Sequence, residues 1–394
     1  MNAHAERGVT DAVSAAARPR DAGVVAVRPR DLGIPFDGHP GPLNAITDVP
    51  GVEVGMTTLI RGDGPLVVGA GPVRTGVTAI LPRGRADVGR ACAAGWHALN
   101  GNGEMTGTTW IEESGGLSMP VLITNTHAVG PCHAGAVEWV AARHPAVARQ
   151  WLLPVVAETW DGYLNDINGA HVAAADAFAA LEVASGGPVA EGAVGGGTGM
   201  TCYAFKGGSG TASRRATVGD DVYTVAVFVQ ANFGARRELT IAGRPVGRLL
   251  EVENPQEETD WLAPAGAGSV IGIVATDAPL LPGQCKALAR RVPLGLARTG
   301  TSGSHFSGDI FLAFSVAEDG EALGSRLVGG CTCPASLRFL PWGSVDPLYE
   351  AVVQATEEAV VGALVAGETM VGIDGHRSPG LPNDEVAALF DARG

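Results

Sequence analysis

A glycine followed by a serine at the start of an apolar run is the most reactive pattern in this 394-residue chain. Small residues at 265–267 precede Gly268, and Ser269 opens the β-like stretch 270–275. The Ser269 hydroxyl can attack the Gly268 carbonyl, because glycine has no Cβ to block the approach and tolerates a strained backbone. An N→O acyl shift and hydrolysis would leave Ser269 as a new terminus, whose α-amine, with a pKa of roughly 7.7–8.0, can activate the hydroxyl. The alternative is a Gly/Ala loop that enters a buried strand.

Such a nucleophile needs polar partners, and three candidates lie next to predicted strands. Ser307 and Asp309 directly precede one strand and are two residues apart, so on an extended chain their side chains project from one face. Together they can hydrogen-bond the Ser269 amine and hydroxyl and relay a proton. Asn232 ends another strand, where its amide can donate to a developing oxyanion. Ordinary turns at both places are the alternative.

A dense polar cluster at 158–166 closes a further predicted strand. Its carboxylates and aromatic rings form a candidate pocket for an ammonium group, held by Glu158 with cation–π support from Trp160. Tyr163 lies in the same cluster. The alternative is a polar loop with an aromatic lid.

The elements that must carry these residues follow from apolar periodicity. Strands are predicted at 77–81, 120–124, 154–157, 222–230, 269–275 and 310–317, and helices at 88–99, 134–143, 169–181 and 282–292. Their alternation indicates a layered α/β architecture. Residues 1–30 are expected to form a frayed arm before a single catalytic domain, 31–394.

The best-defined helix is C-terminal. Asp346 is placed to cap it, and Pro347 fits its first turn. Apolar residues recur at helical spacing, with Glu350, Glu357 and Glu358 predicted to face away from the core.

Composition excludes several classes of protein. Hydrophobic residues at 46% and charged residues at 17% exclude a disordered or coiled-coil chain. A net charge of −14 argues against binding to nucleic acid or anionic membranes. The sequence contains no apolar run of 18 residues that would predict a membrane span, and residues 1–13 lack a secretory pattern. A cytoplasmic location is therefore predicted.

No metal or cofactor is expected. The six cysteines and nine histidines show no ligand spacing, and isolated buried thiols are the expected role of the cysteines. The glycine-rich run 195–200 invites a phosphate-binding interpretation, but no Gly-Lys-Ser/Thr follows it and no acidic ribose partner is evident. We expect a close-packed turn near the active site instead.

Several long motifs, in the same order along the chain, resemble those of the S58-type peptidases, the family of L-aminopeptidase D-esterase/amidases and β-peptidyl aminopeptidases. These motifs lie at 30–36, 41–52, 71–78, 100–104, 124–126, 164–166, 195–200 and 268–280. The resemblance implies a four-layer α-β-β-α sandwich reminiscent of N-terminal-nucleophile hydrolases but connected differently. It also implies cleavage into chains 1–268 and 269–394, which stay together and assemble as a tetramer of αβ heterodimers.

The resemblance also implies roles for individual residues. Ser269 matches the nucleophile, Ser307 and Asp309 match its hydroxyl and acid partners, Asn232 matches the oxyanion-hole donor, and Glu158 matches the carboxylate that binds the substrate amine.

Two positions depart from some family members, which carry Glu at position 309 and Tyr at position 160. The indole of Trp160 can donate a hydrogen bond but cannot relay a proton as a phenol does, so Tyr163 is a candidate to substitute in part.

The predicted function is a self-processing serine aminopeptidase, amidase and esterase without a cofactor. It would release small N-terminal residues, L- or D-Ala, Gly or β-amino acids, from short peptides and amides. One alternative is an acyltransferase like the structurally related ornithine acetyltransferases, although these usually have Thr at the junction. The other is a catalytically silent binding protein.

Overall fold

The computed structural model describes residues 27–254, 268–324 and 334–391. In chain order its strands are β1 (Glu53–Arg61), β2 (Val73–Leu81), β3 (Cys92–Ala98), β4 (Gly116–Leu117), β5 (Val121–Asn125), β6 (Val155–Thr159), β7 (Thr201–Cys202), β8 (Phe205–Lys206), β9 (Gly208–Val218), β10 (Asp221–Asn232), β11 (Ser269–Thr276), β12 (Ile310–Ser315), β13 (Met370–Val371) and β14 (Arg377–Ser378). The α-helices are α1 (Thr108–Ser114), α2 (Val129–Arg143), α3 (Ala174–Glu182), α4 (Val246–Leu249), α5 (Pro282–Ala289), α6 (Val292–Arg298), α7 (Asp346–Val365) and α8 (Asn383–Phe390).

Two sheets dominate the described residues. One has four strands in the order β1-β2-β5-β6, and the other has six in the order β4-β3-β12-β11-β10-β9. In the larger sheet β11 runs parallel to β12 and antiparallel to β10. The strand that opens with Ser269 therefore lies in the middle of the sheet, with a hydrogen-bonded neighbour on each side.

Three apolar clusters separate four layers. One packs α2 and α3 against the smaller sheet, a second fills the space between the sheets, and a third packs α5, α6 and α7 against the larger sheet. On β11, Val270 and Val274 point to the helices while Ile271 and Ile273 point to the other sheet, the alternation expected of a strand. The expected α-β-β-α sandwich is confirmed.

The helix predicted at 88–99 is wrong, because most of this segment is strand β3. Its small residues reflect close helix–sheet packing rather than helix propensity. A Cβ at Gly95 would lie 2.4 Å from the backbone nitrogen of Lys286, so α5 lies directly on the strand at this point. Tertiary packing therefore overrides the local preference of an Ala/Gly-rich sequence.

Helix boundaries also differ from the predictions. Helix α3 begins at Ala174 rather than 169, and the helix predicted at 282–292 ends at Ala289, with α6 starting at Val292. Asp346 is not a cap, because it is the first residue of α7 and the capping position, Val345, makes no side-chain cap bond.

The prediction that Glu357 and Glu358 face away from the core is wrong. Glu358 is buried, and its carboxylate binds the guanidinium groups of Arg30 at 2.8 Å and Arg214 at 2.6 Å. Arg30 belongs to the segment predicted as a frayed arm, and residues 1–26 of that arm lie outside the described residues. Because β9 and the segment around Arg30 cover this face of α7, Glu358 becomes a buried ion-pair partner.

The glycine-rich run at 195–200 is a packed turn, as predicted. The Gly195 N–H donates to Thr58 Oγ1 at 2.9 Å and the Gly196 N–H donates to Thr78 Oγ1 at 3.1 Å. These amides hold the turn on β1 and β2. In the ranges given above, no helix combines the length and hydropathy that a membrane span requires. Four cysteines, Cys92, Cys132, Cys202 and Cys285, are buried, and positions 331 and 333 lie outside the described residues.

Candidate active site

The strand register brings the predicted nucleophile and its partners together at one end of neighbouring strands in the larger sheet. Ser269 pairs with Asn232 across β11 and β10, and Gly268 forms an isolated parallel bridge with Ser307 just before β12 begins. Ser269 is only 2% exposed. Residues far apart in sequence therefore meet because the ends of three neighbouring strands lie together.

The peptide bond between Gly268 and Ser269 is held from both sides. The Gly308 N–H donates to the Gly268 carbonyl oxygen at 3.2 Å. A Cβ on Gly268 would lie 2.0 Å from the carbonyl oxygen of Asn232, so no larger residue fits. Gly268 does not adopt a left-handed φ. The need for glycine therefore comes from close approach and not from the strained backbone that the sequence suggested.

Ser307 and Asp309 form the expected hydroxyl–carboxylate pair. Ser307 Oγ donates to Asp309 Oδ1 at 2.5 Å, and the Val270 N–H donates to the same oxygen at 3.2 Å. Burial raises the pKa of Asp309, while the hydrogen bonds from Ser307, Asn100 and Val270 oppose this shift. Because the Ser307 hydroxyl directs its hydrogen at the carboxylate, the lone pairs of its oxygen can accept a proton from a neighbouring group.

The side-chain amide of Asn232 is fixed at both ends. Its Nδ2 donates to the Trp160 carbonyl at 2.8 Å, and its Oδ1 accepts from the Thr201 N–H at 2.9 Å. An amide nitrogen carries two hydrogens, so one remains for an oxyanion. The geometry suits a preorganised donor beside Ser269.

Glu158 is a buried carboxylate with neutral partners. Its Oε1 accepts from the Glu104 N–H at 2.9 Å, and its Oε2 accepts a short hydrogen bond from the Thr126 hydroxyl. Burial raises its pKa. Because its two hydrogen-bond donors are neutral, the group is suited to binding a cation that arrives with a ligand.

The two aromatic residues predicted beside Glu158 have different surroundings. Trp160 is 36% exposed, and its indole lies against Gly162, where a Cβ would be 2.4 Å from the ring. Tyr163 is buried, stacks on the His376 ring at 4.8 Å between centroids and donates to the Arg377 carbonyl at 3.3 Å. The described contacts therefore link Trp160 to the cluster through its carbonyl, whereas those of Tyr163 lead toward residues 376 and 377.

Sequence reasoning did not single out two polar residues that the structure places here. Asn100 contacts Asp309, and Thr126 contacts Glu158. Both lie in motifs that carried the family resemblance, 100–104 and 124–126. The turn-forming Asn-Gly-Asn-Gly-Glu run was the available signal, because its glycines permit close approach to another segment.

The structure thus places a buried serine beside a hydroxyl–carboxylate pair, an amide donor and a buried carboxylate, an arrangement that suits hydrolysis by a serine nucleophile. The model of peptidase family S58 matches residues 44–378. The chain belongs to this family and is a hydrolase that acts on peptide bonds.

Relatives with similar sequences support this assignment. The β-peptidyl aminopeptidase BapA of Sphingosinicella microcystinivorans is 48% identical over 369 residues, covering 91% of this chain and 90% of its own. BapA of Sphingosinicella xenopeptidilytica is 46% identical, covering 92% and 90%.

Solved structures agree in fold. The L-aminopeptidase D-Ala-esterase/amidase of Ochrobactrum anthropi, a variant of the Ntn-hydrolase fold, superposes with a TM-score of 0.85 at 44% identity, covering 92% of this chain and 98% of its own. A β-aminopeptidase of Burkholderia sp. superposes with a TM-score of 0.83 at 44% identity, covering 93% and 99%.

Proposed function

We propose that this protein is a self-processing aminopeptidase, amidase and esterase that works through an acyl-enzyme on Ser269. One observation carries the proposal: Ser269 opens a buried strand directly after a carbonyl that is already held by the Gly308 N–H. The Ser307–Asp309 pair and Asn232 lie at the neighbouring strand ends. The same serine can therefore attack its own chain first and substrates afterwards.

In the self-cleavage step, Ser269 Oγ attacks the Gly268 carbonyl carbon. The hydroxyl proton passes to Ser307, whose own proton is held by Asp309, and the Gly308 N–H stabilises the oxyanion. The C–N bond breaks, the nitrogen takes up the proton, and an ester to Oγ remains. Water then hydrolyses this ester, which leaves a Gly268 carboxylate and a Ser269 with a free α-amine and hydroxyl.

In turnover, the free α-amine or Ser307 takes the proton as Ser269 Oγ attacks the substrate carbonyl. Asn232 donates its second N–H to the oxyanion, and the departing amine or alcohol receives the proton. Water then releases the acyl group from Ser269. Glu158 binds the substrate ammonium, which restricts cleavage to the bond after the first residue.

The substrate class follows from this amine anchor and from the relatives. They are named as β-peptidyl aminopeptidases and as an L-aminopeptidase D-Ala-esterase/amidase. We propose that this enzyme accepts small N-terminal residues, L- or D-Ala, Gly and β-amino acids, in short peptides, amides and esters. A panel of α-L, α-D and β-aminoacyl p-nitroanilides tests this range.

Intact-mass spectrometry tests the cleavage. The wild type is expected to give two fragments split after Gly268, and Ser269→Ala one inactive chain. Ser344→Ala, in the turn before α7, is the matched control and should be cleaved normally. A wild-type enzyme that is active with the junction whole would refute the mechanism. Acyl transfer to an added amine that exceeds hydrolysis would favour the acyltransferase instead.

The assembly and location are also proposals. Family resemblance supports a single catalytic domain split into 1–268 and 269–394 and a tetramer of αβ heterodimers, whereas the cytoplasmic location is proposed from the sequence pattern alone. Light scattering after size-exclusion chromatography would give the mass of the assembly. A mass equal to one αβ heterodimer would contradict the tetramer.

A further inference from the structure

The segment Asn100–Glu104 touches two separate parts of the proposed site. At one end, the Glu104 N–H donates to Glu158 Oε1 at 2.9 Å. In the middle, the backbone of the loop lies directly against Gly308, since a Cβ on Gly308 would lie 2.3 Å from the Asn102 carbonyl oxygen. One loop therefore packs between the amine-binding carboxylate and the residues that follow Ser307.

At the other end of this loop, Asn100 is bound to Asp309 by a reciprocal pair of hydrogen bonds. Asn100 Nδ2 donates to Asp309 Oδ2 at 3.1 Å, and the Asp309 N–H donates to Asn100 Oδ1 at 2.7 Å. Nδ2 also donates to the Ser304 carbonyl at 3.0 Å. The amide is thereby fixed on three sides.

This pairing fixes the orientation of the Asp309 carboxylate relative to Ser307. Oδ1 accepts from the Ser307 hydroxyl and the Val270 N–H, and Asn100 supplies a donor to Oδ2. Rotation of the carboxylate would break bonds on both oxygens at once. Because Asp309 is buried, a lost donor would not be fully replaced by water, and the ionised carboxylate would be disfavoured.

We propose that Asn100 is a positioning residue, which holds the Asp309 carboxylate in the orientation that accepts the Ser307 proton in both chain cleavage and substrate hydrolysis. This inference rests on the proposed function, because Asn100 acts only through Asp309 and Ser307. It adds a residue outside the Ser-Gly-Asp motif to the groups that support the proton transfer.

The test compares Asn100→Ala and Asn100→Asp with Asn102→Ala. Asn102 is the matched control, because it lies in the same loop and donates to the Phe306 carbonyl at 2.9 Å but not to the Asp309 carboxylate. Cleavage is followed in a cell-free translation time course. Steady-state hydrolysis of a β-aminoacyl p-nitroanilide is measured on cleaved protein between pH 5 and 9, and a melting curve is recorded for each variant.

For Asn100→Ala we expect a loss of about ten- to a hundredfold in kcat and in the cleavage rate, the usual effect of removing a hydrogen bond to a charged group. KM should change less than about threefold, because Glu158 and its partners are intact. Loss of the donor raises the pKa of Asp309, so the acid limb of kcat should move to higher pH. Asn100→Asp should move it further, because a second carboxylate faces the first.

Two results would overturn the assignment. One is an Asn100→Ala enzyme with unchanged kcat and an unmoved acid limb. The other is equal loss of activity and melting temperature in Asn100→Ala and Asn102→Ala, which would reveal a general effect on the loop. If the wild type itself is active without cleavage, the proposed function fails, and the pH profiles of hydrolysis still decide the role of Asn100.

Discussion

Replacing Glu158 by Gln should remove the preference of the enzyme for substrates with a free amine. The carboxylate is 3% exposed and its described partners, the Glu104 N–H and the Thr126 hydroxyl, are neutral. Gln keeps the shape of the side chain, and the Thr126 hydroxyl can rotate to suit the amide. The substitution therefore removes a charge with little change in packing.

The size of the effect follows from the burial of this site. Two unit charges about 3 Å apart attract by roughly 5–6 kcal/mol at an effective dielectric constant of about 20. The substrate ammonium loses part of its hydration on entering, so the net coupling should be about 2–4 kcal/mol. At 1.36 kcal/mol per factor of ten, this corresponds to about 30- to 900-fold in kcat/KM.

A double-mutant cycle between enzyme and substrate isolates this coupling. kcat/KM is measured for wild type and Glu158→Gln with β-alanyl p-nitroanilide and with its des-amino analogue, propionyl p-nitroanilide. The wild type should prefer the amine strongly, and the variant should lose most of that preference. Glu350→Gln, which neutralises an exposed carboxylate on α7, is the matched control. A coupling free energy near zero for Glu158 would refute its role as the amine anchor.

Three further outcomes are expected. Asn232→Ala should lower kcat by about 10²- to 10³-fold with KM little changed, as loss of an oxyanion donor does; an unchanged kcat would remove Asn232 from the mechanism. Gly268→Ala should slow cleavage, followed on denaturing gels, because the new Cβ would meet the Asn232 carbonyl, whereas Gly343→Ala, whose Cβ would meet no atom within 4 Å, should leave cleavage normal. In uncleaved Ser269→Ala protein, a further Glu358→Ala substitution should lower the free energy of unfolding, measured with urea at pH 7, by roughly 3–5 kcal/mol. The reason is that the buried Arg214 would lose the carboxylate that balances its charge. Burial alone would raise the pKa of Glu358, but its hydrogen bonds and ion pairs with Arg30 and Arg214 lower it. Their contribution is therefore complete above the ordinary pKa of a glutamate, about 4.3, and the difference should shrink as pH falls below that value.

The sequence could predict the candidate site because the residues that form it lie at the ends of strands. Gly268-Ser269 and Ser307-Gly308-Asp309 each directly precede an apolar strand, and Asn232 ends one. Local pattern predicts such positions well, since a strand end and a polar residue beside it are both visible in a short window. The pairing of Asn232 with Ser269 required the sheet order, which short windows do not contain.

The features that sequence reasoning missed depend on packing between distant segments. Strand β3 looked like a helix because the close approach of α5 demands glycine and alanine at its surface. Glu358 looked exposed because its partners, Arg30 and Arg214, are more than a hundred residues away. The role of Asn100 likewise depends on a contact with Asp309 across 209 positions of sequence.

The order of strands in the larger sheet would keep the protein folded after the proposed cut. The proposed cut places β11 and β12 in the second fragment, whereas their neighbours β10 and β3 belong to the first. Both central strands are therefore hydrogen-bonded to the other fragment, and Ile271 and Leu312 pack between the two sheets. Cleavage would remove one covalent bond at the start of β11 and leave the strand pairing and the apolar packing between the fragments in place. The new terminus at Ser269 would thus stay opposite Asn232, the proposed oxyanion donor for a substrate carbonyl.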